Sequence, residues 1–216
     1  MNYNKQKESI SLVIVGQFEP IYLHAKWMYD KGLLTQNEQA RLSISDKIIS
    51  PKLSRFIVED CFDFLCNENR IQLQSADISY AARLSKLAKN ILSVLSYDNI
   101  NAIGVNADMD FCFLNDDDQY NFGKHFVNLN AWDGILDNAR AINFTITEQI
   151  DTEQGRPKRT LLITTKAENN PQTIIQIAIN NHYSVTSLDD INSAIDLLDK
   201  KSQEFRELYA TIFEAL

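Results

Sequence analysis

Between Asp77 and Phe113 the spacing of the apolar residues changes period once, and no other stretch restricts the fold as strongly. From Ser79 onward, Tyr80, Leu84, Leu87, Ala88, Ile91 and Leu95 recur at three- and four-residue steps while Arg83, Lys86, Lys89 and Asn90 fall elsewhere, which predicts an amphipathic helix. After the polar break Ser96-Tyr97-Asp98-Asn99 the period becomes two. Ile103, Val105, Ala107, Met109, Phe111 and Phe113 share one side, and Asn106, Asp108 and Asp110 stand on the other. That alternation predicts a strand with one buried face.

Read outward from this pivot, the two halves repeat the same order of signals. Leu12-Val-Ile-Val-Gly16 opens the first half and Ile100-Asn-Ala-Ile-Gly104 the second. Each half then carries a tryptophan followed by a glycine and two aliphatics: Trp27 with Gly32-Leu33-Leu34, and Trp132 with Gly134-Ile135-Leu136. Strands follow, and a long amphipathic helix closes each half. The expectation is an α+β fold, with a largely antiparallel sheet or sheets and two long helices packed on one side. It admits a pseudo-repeat of a strand-helix-strands-helix unit, with halves 9–97 and 100–216 inside a single globular domain spanning 1–216.

In chain order, Ser9 to Phe18 reads as the first strand behind a polar arm, and Pro20 opens a short helix from Ile21 to Lys31 that Gly32 ends. Leu53 to Leu65 reads as extended with a bend at Glu59-Asp60, and Ile71 to Gln74 returns beside it. Asn115 to Asp118 reads as a loop. Ala141 to Ile150 and Arg159 to Lys166 form a hairpin around Gly155 and Pro157, and Asn169-Asn-Pro171 turns the chain into Ile174 to Val185. Ser187 with Asp190 signals a helix start, and an apolar stripe then runs for about 28 residues, roughly 42 Å at helical rise. Such a helix overhangs the sheet expected of its own half. Its last turns, with Phe205, Leu208, Tyr209, Ile212 and Phe213, either pack on the other half or meet a protein partner or a second copy.

With 216 residues, of which 44% are hydrophobic, the chain can bury a substantial core. A net charge of −8 argues against direct nucleic-acid binding, which needs a basic phosphate-facing surface. The three cysteines, Cys61, Cys66 and Cys112, form no metal or disulfide pattern, and the first two are expected on opposite faces of one strand. The apolar run Ile10 to Val15 is too short for a signal peptide or a membrane span. The expected setting is the cytoplasm, away from membranes.

Chemistry is sparse. The six glycines are too scattered for a phosphate cradle or a dinucleotide fingerprint, and His24, His125 and His182 lack metalloprotease spacing. No cofactor is implied. The best metal candidates are Asn106, Asp108 and Asp110, which a strand presents in a row. The word Asp108-Met-Asp110-Phe111 resembles the metal-binding strand of the polymerase-beta type nucleotidyltransferases, which implies metal-dependent nucleotidyl transfer; where that family carries a Gly-Ser pair, this chain has Gly104-Val105. Trp27, Tyr29, Tyr22, Trp132 and Phe126 are candidates to line a ligand cleft between helix and sheet, and Arg156, Lys158 and Arg159 form a basic hairpin tip able to meet Asp116 to Asp118 of a neighbouring copy. Ile103-Gly104-Val105-Asn106, Asn180-Asn-His-Tyr183 and a closing helix with Phe205 and Phe213 together resemble a sporadically distributed family of uncharacterised bacterial proteins, which implies no particular site. The leading expectation, which leans away from an enzyme, is an interaction protein that binds a protein partner or itself through the C-terminal helix; the alternatives are small-ligand binding or catalysis in a cleft and the nucleotidyl transfer above.

Overall fold

The computed structural model describes residues 3–43, 45, 47–95, 99–113, 115–137, 139–141, 143–149, 158–166 and 174–214. Their strands are β1 (Tyr3–Gly16), β2 (Ile48–Ile49), β3 (Leu53–Val58), β4 (Phe62–Asn67), β5 (Arg70–Ser75), β6 (Ile100–Phe113), β7 (Asn143–Gln149), β8 (Lys158–Lys166) and β9 (Ile174–Ser184). The α-helices are α1 (Ala25–Asp30), α2 (Gln36–Ala40), α3 (Ala81–Val94), α4 (Asp116–Phe126) and α5 (Leu188–Glu214). All nine strands belong to one antiparallel sheet in the order β2-β3-β4-β5-β1-β6-β9-β8-β7. Apart from the short β2, that order mirrors itself about the β1/β6 pair. Each central strand leads through a helical connection into a three-strand meander whose last strand returns beside it, and then into a long helix.

The period-two pattern fixes the register. Ile10 stands opposite Ala107, Leu12 opposite Val105 and Ile14 opposite Ile103, so the apolar sets of both central strands fall on one face. The same face takes Phe56, Phe64 and Leu73 from the first meander and Ile163, Ile177 and Ile179 from the second, all buried. Helices α3 and α5 lie over this layer, joined where the Ser85 hydroxyl donates to the Ile195 carbonyl (3.1 Å). Leu23, Met28, Leu33 and Leu34 cover the β3 side, and the Ser54 hydroxyl ties β3 to the Leu23 carbonyl (2.8 Å). At the far end Phe122 of α4 closes an aromatic cluster with Phe111 and Phe113 (5.6 and 5.3 Å between centroids).

Several elements depart from expectation. The polar arm is not an arm: Tyr3 to Glu8 extends β1, pairing Tyr3 with Phe113 and Glu8 with Met109 across a bulge between Lys5 and Lys7. Fourteen residues of strand span about 46 Å against about 40 Å for the 27 residues of α5, so the last helix has a sheet as long as itself to lie on. The helix expected from Ile21 to Lys31 is broken. Pro20–Tyr22 form a 3-10 turn, Leu23 drops into the core, and His24 restarts the chain as α1 by accepting the Trp27 N–H on Nδ1 (3.2 Å). Leu53 to Leu65 is two strands, because Asp60 adopts φ 58° and reverses the chain. Cys61 therefore lies in that turn and Cys66 on the covered face, both buried. Asn115 to Asp118 is a helix start, with the Asn115 side chain accepting the Asp118 N–H (2.8 Å) and Asp117 and Asp118 favoured at the positive end of the helix dipole. The hairpin tip 151–157 and the turn 169–171 lie outside the described residues.

Candidate interaction surface

The apolar stripe of α5 is used within the chain. Phe205, Tyr209 and Ile212 are buried, and Leu208 and Phe213 pack against the same core. The Tyr209 hydroxyl donates to the Ile177 carbonyl (3.5 Å), and burial, helped by the nearby carboxylates of Asp108, Glu8 and Asp110, pushes its phenol well above the ordinary value. Phe213 stacks on Tyr3 (centroids 4.0 Å) and meets Phe111 edge-on (4.6 Å). Of these turns, Phe213 reaches the other half, against Tyr3 of the lengthened β1.

The opposite face of the sheet carries the row Asn106, Asp108 and Asp110, placed together as the alternation requires. Register sets Ser11, Ser9 and Lys7 beside them on β1 and Asn180, Ala178 and Gln176 on β9. Asp108 is already engaged, since the Ser9 hydroxyl donates to its Oδ2 (2.8 Å), Gln74 donates to Ser9 (3.2 Å) and Gln72 to Gln74 (3.1 Å). A hydrogen-bonded chain across three strands satisfies polar groups that would otherwise sit half-buried without partners. Among the described residues no group of three or more His, Cys, Asp or Glu side chains is placed to hold a metal ion.

The remaining candidates do not converge. His24 caps α1, His125 lies against Phe126 (5.1 Å) on α4, and His182 stands opposite Gly104 in the sheet. Tyr29 lines a cavity beside α1 and the exposed Tyr22 a different one beside the start of β6, and neither is lined by Trp132 or Phe126. Of the expected basic tip, Arg156 lies outside the described residues. Arg159 donates to the side chain of Asn181 opposite it on β9 (3.2 Å) and pairs with Glu204 of α5 (3.3 Å).

The two halves differ most in the words that suggested a repeat. Leu33 and Leu34 are 6% and 4% exposed, whereas Ile135 and Leu136 are 70% and 54% exposed, and Trp132 beside them is 46% exposed. The difference is set by the chain immediately C-terminal to each word. After Leu34 the Thr35–Glu38 capping box starts α2, and Arg83 donates to both Glu38 (2.8 Å) and the Leu33 carbonyl (2.8 Å), clamping the loop to α3. Among the described residues no helix stands between Leu136 and β7 to do the same.

The sheet edges are equally uneven. Edge strand β2 has two residues and is flanked by Lys47, Pro51 and Lys52, the usual defences of an exposed edge. Edge strand β7 has seven residues, Asn143 to Gln149, without proline or lysine, and its Ile146 is 49% exposed. Sequence reasoning missed this surface, because an alternating strand looks the same whether it lies inside a sheet or at its rim. No family model, curated protein or solved structure matches the chain. No helix among the described residues is long and apolar enough to cross a membrane.

Proposed function

We propose that the protein is a non-enzymatic interaction protein that self-associates through the rim of its second half and not through the C-terminal helix. The observation that carries this reading is the β7 edge, which no other described strand pairs, with Ile146 exposed at its centre, on a sheet whose other edge is blunted. An edge strand offers unpaired N–H and C=O groups to any extended chain, and antiparallel pairing about a two-fold axis closes after one step. Centred on Ile146, two copies of β7 set Thr145 opposite Thr147 on both sides, a pairing in which threonine hydroxyls and β-branched packing are favourable. Trp132, Ile135 and Leu136, exposed in the same half, supply the apolar area that seven residues of backbone pairing alone lack.

Light scattering on the intact chain tests this. The expected result is a dimer that Ile146→Lys converts to a folded monomer whose melting temperature no longer depends on protein concentration, because the side chain is exposed at an edge and the substitution places two like charges on the axis. A wild-type monomer at every soluble concentration, or a dimer indifferent to Ile146→Lys, overturns the reading.

A further inference from the structure

A cavity of about 310 Å³ opens between α1, α2 and the β2–β3 edge, at the small end of the range for ligand sites. Its walls are apolar and partly aromatic, from Tyr29, Ile49 and Phe56, while Lys26, Lys47 and Arg55 also line it. In a chain of net charge −8, three cations and no carboxylate among the described lining residues is an inverted local balance. Lys26 has an exposed partner in Asp30 (2.7 Å), but Lys47 and Arg55 make no ion pair or side-chain hydrogen bond among the described residues. His24 adds a fixed donor: its Nδ1 accepts the Trp27 N–H, so its ring proton resides on Nε2.

From this arrangement we infer that the cavity between α1, α2 and the β2–β3 edge binds a small amphipathic carboxylate, its apolar body against Tyr29, Ile49 and Phe56 and its charge towards Lys47 and Arg55. A neutral ligand of the same shape leaves those cations without a partner, and a bare inorganic anion leaves the apolar wall uncovered. Recognition therefore needs both parts of the molecule. The site lies in the first half, remote in sequence from β7, and stands or falls separately from self-association.

Calorimetric titration of the intact protein with 1-naphthoate, and with the neutral 1-naphthalenemethanol, tests the inference. The expected result is one saturable site per chain for the carboxylate, with the alcohol weaker by about tenfold or more and Lys47→Gln and Arg55→Gln each weakening the carboxylate about tenfold. Lys86→Gln, an exposed charge on α3, leaves the affinity unchanged. The inference is overturned if naphthoate shows no saturable binding up to millimolar concentration, if the alcohol binds equally well, or if Lys86→Gln weakens binding as much as the cavity variants do.

Discussion

Replacing Phe205 by alanine separates a core role from an interface role for the C-terminal helix. The side chain is 1% exposed and belongs to the same buried cluster as Ile177, Ile195 and Leu198. Truncating a fully buried phenylalanine removes its transfer free energy and leaves a cavity, together costing about 3–5 kcal/mol. For a chain of this size each kcal/mol is worth about 2–4 °C, so the melting temperature falls by roughly 6–20 °C. The measurement is urea unfolding followed by circular dichroism, made in the Ile146→Lys background so that edge pairing contributes nothing. A core residue gives the same loss at every protein concentration. A loss below about 1 kcal/mol, accompanied by a change in solution mass, would show that Phe205 faces a partner and would refute the packing argument.

Other substitutions probe the remaining features. Burial opposes ionisation of Glu38, but hydrogen bonds and charge from Arg83 and the Thr35 N–H outweigh it and hold its carboxyl below the ordinary value, so its contribution to stability is present above about pH 4.5 and lost as the pH falls through the lowered value. Glu38→Gln therefore costs about 2 kcal/mol at pH 7 and nothing in strong acid, and a cost independent of pH would refute the assignment. Burial pushes the Cys66 thiol up to about 12, and Cys61 and Cys112 are buried as well, so iodoacetamide at pH 8 labels none of the three until urea unfolds the chain. Mn²⁺ is expected to leave the melting temperature unchanged, whereas a true site at one hundred times its dissociation constant would add about 2.7 kcal/mol. A rise that Asp108→Ala and Asp110→Ala abolish would reinstate the nucleotidyl-transfer reading.

Where periodicity is strong, the sequence suffices. Helix α3, strand β6 and the stripe of α5 are legible because one face of each is buried along its whole length, and the capping signal of Ser187 and Asp190 is realised in reciprocal hydrogen bonds (3.0 and 3.1 Å). The strand in the polar arm is illegible because Lys5, Lys7 and Glu8 show no apolar alternation; their place in β1 is decided by a partner strand nearly half a chain away. Asp60 and Asn115 mislead for a local reason, since a single positive φ or one cap decides between bend and reversal, or between loop and helix. The candidate surface is invisible for a third reason. Gly134-Ile-Leu136 and Gly32-Leu-Leu34 are alike as words, and among the described residues only the first-half word is followed by a capping box and clamped by Arg83 into a buried loop.

The β1/β6 pairing also sets an order of events at the ribosome. The first half can assemble β3, β4, β5, β1 and α3 as soon as they emerge, but one long side of β1 then has no neighbour until β6 has been made. From the end of α3 to the end of β6, ordinary rates of synthesis make the gap last roughly 1–4 s, far longer than hairpin formation. During that interval the nascent chain presents the open side of β1 from Ile10 to Val15, the stretch that β5 already holds extended. The time taken to translate from α3 to the end of β6 then sets how long that side of β1 stays open to aggregation or to pairing with the nascent β1 of a neighbouring ribosome.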